Sequence, residues 1–189
     1  MAIKSSHNTI NKTRFITFTC FSWISLFQIK NSYDIIYDWF NLIKEKYSIV
    51  ITAFVMMPNH IHAILHINNS KSLIKVIANG KSFIAYEIVK RLRSQNQNDI
   101  LLKLSEACYD EEKRKGQLYK VFEPSFDAKA ILTNKFLEQK LDDIHHNPVS
   151  GKWNLASIFV DYKHSNASFY EKNLKHQNVV LKHYLDLNG

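Results

Sequence analysis

Residues 49–65 read Ile49-Val50-Ile51-Thr52-Ala53-Phe54-Val55-Met56, then Met57-Pro58-Asn59, then His60-Ile61-His62-Ala63-Ile64-Leu65. Two apolar, strand-like runs flank a turn signal, so the segment reads as neighbouring strands near 49–56 and 60–67. Alternate residues of a strand face the same way, which sets His60 and His62 side by side with Ile61 turned into the core behind them. Two neutral imidazoles so placed suit a divalent metal whose other ligands come from elsewhere in the chain. Taken alone, the pair reads equally as two partly exposed rings on a sheet face.

Working outward, a strand is expected at about 13–21 and a helix at about 32–47, where Ile36, Trp39, Phe40 and Ile43 form the apolar side. After the histidines a second long helix is expected over 71–93, with Leu73, Ile77, Ile84, Ile88 and Leu92 on its apolar side. Ser94 to Asp99 reads as a polar break, Asp110 to Gly116 as a charged loop or frayed helix end, and Tyr119 to Phe122 as a short strand. Leu137, Leu141 and Ile144 recur at helical spacing until Pro148 and Gly151 stop the pattern. Asp143 and Asn147, four residues apart, share one face of that helix, beside its buried stripe. His146 lies nearer to Asp143 on this helix than His145, which points away from it. The order of elements predicts an α+β protein, an antiparallel sheet with helices on one face.

These residues carry a resemblance. The chain resembles the IS200-like and REP-associated tyrosine transposases, single-stranded DNA nucleases of the HUH superfamily. Their signatures read Met-Pro-Asn-His-hydrophobic-His and, later, Tyr-Ile-His-x-Asn-Pro-Val. The first stands intact at Met57 to His62, and the second as Asp143-Ile144-His145-His146-Asn147-Pro148-Val149. Further similarity runs through Phe15-Ile16-Thr17-Phe18-Thr19, Gly80-Lys81-Ser82-Phe83 and Phe122-Glu123-Pro124-Ser125-Phe126, so that it covers about residues 12–170. It implies an HUH-type fold with ferredoxin-like connections. It also implies that His60, His62 and Asn147 hold Mg²⁺ or Mn²⁺ against a scissile phosphate, Mn²⁺ being the better match to imidazole.

The departure is at Asp143, which stands where the family carries its nucleophilic tyrosine. Three readings follow. Asp143 orients or deprotonates a water at the metal, giving a hydrolytic nuclease. Alternatively, cleavage is lost and a binder of folded single strands remains. In the third reading another tyrosine substitutes, with Tyr86, Tyr109 and Tyr119 as candidates. Asp143 is also placed to add a fourth metal ligand.

Composition agrees with a nucleic-acid partner. The 189 residues include 25 Lys and Arg against 17 acidic residues, for a formal charge of +8 and a pI near 9.4, which favours attraction to phosphates. Lys75, Lys81, Arg91 and Arg93 concentrate on the second long helix as candidate nucleic-acid contacts, with a solvated charged face as the ordinary alternative. The resemblance tilts Lys81 towards a DNA phosphate. Tyr119, Phe122 and Phe126 are candidate stacking aromatics or core residues.

The expected partner is single-stranded or hairpin DNA, with an RNA-directed nuclease as a further alternative. Length and a hydrophobic content of 46% fit one domain over 12–170, with an extension at 1–11 and a tail at 171–189. No membrane span or secretory signal is expected, which points to a cytoplasmic protein. Cys20 and Cys108 read as free thiols. Monomer and homodimer both remain open.

Overall fold

The computed structural model describes residues 12–29, 32–67, 73–124 and 126–188. The expected extension at 1–11, the start of the second long helix at Lys71 and Ser72, and Ser125 lie outside them.

Four antiparallel strands form one sheet: β1 (Thr13–Thr19), β2 (Ile49–Met56), β3 (His60–Ile67) and β4 (Asp127–Ala130), in spatial order β2-β3-β1-β4. Helix α1 (Tyr33–Tyr47) connects β1 to β2, and α2 (Leu73–Ser94) begins the return from β3 towards β4. That alternation and strand order are the ferredoxin-like pattern. Two short helices, α3 (Asn98–Glu106) and α4 (Asp110–Arg114), complete the crossover, and α5 (Asn134–His146) follows β4.

The two faces of the sheet have different cores. On one, Ile16, Phe18, Ile61, Ala63 and Leu65 pack against Ile36, Trp39 and Phe40 of α1 and Ile77, Ile84 and Ile88 of α2. On the other, Phe15, Val55 and Ile64 pack against Leu137 and Ile144 of α5. The expected helical layer on one face is therefore α1 with α2, and α5 adds a second layer opposite them. A bulge in β2 lies between Ile51 and Ala53. Before it odd-numbered residues such as Ile51 face α1, and after it odd-numbered Ala53 and Val55 face α5.

Two expectations need correction. Tyr119 to Phe122 is not a strand; Phe122 makes one bridge with Cys20, and the fourth strand is the exposed Asp127–Ala130. The polar break ends early, because Asn98–Glu106 is helical and buries Leu101 and Leu104. The C-terminal segment covers the outer edge of β2: Met56 N–H donates to the His164 carbonyl, Phe54 N–H to Asn166 Oδ1, and Lys182 N–H to the Ile51 carbonyl. An edge that would otherwise offer free backbone groups is thereby capped. Among the described residues no helix is long and apolar enough to cross a membrane.

Helices α1 and α2 meet at Gly80, where a Cβ would run into the indole of Trp39. Gly80→Ala is therefore expected to lower stability by about 1–3 kcal/mol through overpacking, despite the better helix propensity of alanine. A thermal melt reads this directly, and an unchanged or higher Tm would refute the packing argument.

Candidate functional site

The site begins with the β1–β3 register. Thr17 lies opposite His62 and Thr19 opposite His60, so both histidines emerge on the α5 face in the middle of the sheet. Their rings sit 4.8 Å apart, centre to centre. Each Nδ1 is engaged from behind: Thr17 Oγ1 lies 2.7 Å from His62 Nδ1, and Asn59 Oδ1 lies 2.7 Å from His60 Nδ1.

The Asn59 contact fixes a proton. Asn59 Nδ2 donates to the Trp23 carbonyl at 2.9 Å, and a carbonyl can only accept. The amide is thus held with Oδ1 towards His60, so His60 Nδ1 carries the hydrogen and Nε2 keeps its lone pair. A histidine oriented in this way through its rear nitrogen is the usual preparation of a metal ligand.

Helix α5 brings the third donor. Thr133 caps its start, with Oγ1 accepting from Phe136 N–H at 3.1 Å. At its other end the chain passes into a 3₁₀ turn over Asn147–Val149, with Pro148 inside that turn and Gly151 at φ +61° beyond it. Asn147 sits at this junction, near enough to His60 for its side chain to oppose the lowering of that ring's pKa. Of the three residues named from separate parts of the sequence, His60 and His62 are adjacent, and Asn147 is a neighbour of His60. Among the described residues no group of three or more His, Cys, Asp or Glu side chains forms a metal cage. Asp143 accordingly does not complete one with the two histidines.

Asp143 is half exposed and takes an ion pair from Lys140 Nζ at 2.5 Å. Lys140 also lies over the ring of Phe15, 5.2 Å from its centre, and Phe15 stacks on His62 at 5.5 Å. The ammonium thus stands between the carboxylate and the histidine pair. His146 pairs with Asp142 rather than Asp143, at 3.0 Å, and His145 is buried beside Phe159 and Tyr170. Tyr86 and Tyr119 line a groove on the α2 side, and Tyr109 lies against Lys120 beside it. No contact joins any of these three tyrosines to His60 or His62.

The cations on α2 have different fates. Arg91 forms a two-pronged pair with Asp34 at 2.6 and 2.7 Å, so it staples α2 to α1 instead of facing solvent freely. Arg93 lies over the Tyr119 ring, 5.3 Å from its centre. Lys75 is exposed. Lys81 is partly buried, which pulls its pKa down, and donates to the Glu123 carbonyl at 2.6 Å. Lys81, Lys90, Arg93, Lys115, Tyr119 and Phe122 contribute to a groove of about 1020 Å³.

Sequence reasoning missed the loop beside His60. Ser22 and Trp23 both adopt left-handed backbone, at φ 51° and 58°, a conformation costing on the order of 1–3 kcal/mol for each non-glycine residue. Trp23 is 59% exposed and meets His60 edge-on at 5.8 Å. Trp153 lies 6.4 Å from His60 on another side, with Lys152 over its ring. Isolated aromatics without periodicity gave no sequence signal for this arrangement.

Burial lowers the pKa of His60 to about 4, with Asn147 opposing and Lys152 adding to the shift. Burial also lowers that of His62 to about 3, reinforced by His60 and Lys140. Both rings are neutral at pH 7, the state that can bind a cation. Below about pH 6.5 the unfolded chain takes up protons that the fold refuses. Stability should therefore be complete above that pH and decline as it falls towards 4 and then 3. Thermal melts of the metal-free protein between pH 7 and 4.5 should show a falling Tm, with a shallower fall in a His60→Gln/His62→Gln variant. A Tm rising on acidification would contradict the assignment.

Residues 25–103 match the family model for IS200-like transposases. The span holds α1, the histidine hairpin and α2, and it ends before position 143. Among solved structures, a REP-associated tyrosine transposase bound to a REP hairpin superposes with a TM-score of 0.58 at 18% identity, over 82% of this chain and 76% of that one. A candidate transposase from Deinococcus radiodurans R1 gives 0.41 at 11% identity, over 70% of this chain and 90% of that one. No curated protein matches the sequence significantly. Over residues 25–103 the chain is thus similar to the IS200-like transposases, and its α+β fold is that of a REP-associated tyrosine transposase.

Proposed function

We propose that the protein is a metal-dependent endonuclease acting on single-stranded, hairpin-containing DNA, with hydrolysis in place of covalent strand transfer. The observation that carries this reading is the neutral His60/His62 pair, His60 buried and His62 partly buried, held by its Nδ1 atoms with Asn147 nearby. The hairpin held by the structurally similar transposase supports the choice of DNA.

The donor set fits a divalent cation of Mn²⁺ type, two imidazoles and an amide oxygen. His60, His62 and Asn147 would hold it. When bound, such an ion draws charge from a phosphoryl oxygen and orients phosphorus for in-line attack. The remaining work falls to side chains of α5. Asp143 accepts a proton from the attacking water as the new P–O bond forms, and the bond to the 3′ oxygen breaks; that oxygen takes a proton from solvent, leaving a 3′ hydroxyl and a 5′ phosphate. Lys140 holds the Asp143 carboxylate in place and brings a positive charge to the developing anion. Lys81 and Arg93, with Lys75 further along α2, supply phosphate contacts; Arg91 is left out because Asp34 occupies it.

A second reading has its own observation. Asp143 is half exposed, ion-paired to Lys140, and forms no metal-binding group with the histidines. This also suits a binding protein that has lost cleavage.

Incubating the native chain with labelled hairpin DNA and Mn²⁺ separates the two. Hydrolysis predicts nicked product without a protein–DNA adduct, reduced about 100-fold or more by His60→Ala or Asp143→Ala. Asp143→Tyr should yield denaturation-resistant adducts. Retained hairpin with no product from the native chain would favour the binder, and the absence of both binding and product would refute the proposal.

A further inference from the structure

We infer that Trp23 is a stacking platform for an unpaired nucleobase next to the candidate cleavage site, a role that rests on the DNA reading above. An unbroken line of contacts runs from His60 through Trp23 to Lys81. His60 is held by the Asn59 amide, and the other end of that amide holds the Trp23 carbonyl. Next to Trp23, Ser22 N–H donates to the Glu123 carboxylate at 2.9 Å, and the Glu123 carbonyl accepts from Lys81. The Trp23 loop therefore lies at the seam between the histidine pair and the basic groove along α2.

The loop is built to present its side chain outwards. Two successive left-handed residues that are not glycine are tied down at both ends, by Asn59 and by Glu123, yet Trp23 remains exposed. A tryptophan fixed by its backbone and open on its face is a sequence-tolerant surface for a base. Lys152 acts on His60 at one end of this line of contacts and Lys81 is bonded to Glu123 at the other, which supplies positive charge for phosphates at both ends. A strand that follows this line of contacts from the groove to the histidines passes the indole. The occupant with both a flat apolar face and adjoining negative charge is an unpaired nucleotide, which also distinguishes single strands from a duplex whose bases are already stacked.

The test compares two probes by fluorescence anisotropy, with and without Mn²⁺. One is a hairpin oligonucleotide with mixed-sequence single-stranded flanks, and the other is the same hairpin with abasic flanks. The native chain is expected to bind the intact flanks roughly 10- to 100-fold more tightly than the abasic ones. Trp23→Ala should lose most of that preference, and Trp23→Phe should keep much of it, with thermal melts showing both variants folded. Equal binding of the two probes by the native chain, or a preference that survives in Trp23→Ala, would overturn the platform while leaving DNA binding intact. Failure of the native chain to bind either probe would instead overturn the DNA reading, and the platform with it.

Discussion

The pairing of β3 with β1 is the constraint on which the site depends. The period of two along β3 sends Ile61, Ala63 and Leu65 into the core beneath α1 and α2, and His60, His62 and Ile64 to the face beneath α5. A register slip of one residue would exchange these sets, burying imidazoles among isoleucines and exposing the apolar side. The histidines are thus held by the same packing that folds the domain. Their placement is central in the sheet, where neighbours on both sides limit movement.

Around that frame, polar contacts convert two histidines into an oriented pair. The Trp23 carbonyl fixes Asn59, Asn59 fixes the proton on His60, and Asn147 approaches from α5. Desolvation holds both rings neutral, and the nearby ammonium groups of Lys140 and Lys152 push in the same direction. Positive charge kept off the imidazoles remains available around them for a polyanion. Asp143 enters this field through Lys140, on the solvent side of α5.

Much of this was legible in the sequence where a strong period meets a clear stop. The strands at 49–56 and 60–67 and the helix at 33–47 follow from apolar alternation and helical spacing, and β2 and β3 fall where they were expected. Asn147 was named from a motif resemblance and not from spacing, and it lies near His60. Strand β4 was hidden because Asp127–Ala130 is exposed and polar, gaining its place only from hydrogen bonds to β1. Val121 and Phe122 drew the strand assignment instead, since they are buried without belonging to a ladder. Arg91 looked like a nucleic-acid contact because its partner, Asp34, is 57 residues away in sequence. The Trp23 loop left no trace because its conformation is set by Asn59 and Glu123, both distant in the chain.

The claim at the centre is that His60 and His62 form half of a divalent-metal site. Titration of the native protein and a His60→Ala/His62→Ala variant with Mn²⁺, in the presence of the same hairpin DNA, can be followed through the electron paramagnetic resonance signal of the free ion. The account predicts about one more equivalent of Mn²⁺ taken up by the native chain than by the variant, with site affinity set by the two imidazoles. Equal uptake by the two proteins, with the variant shown to be folded, would contradict it.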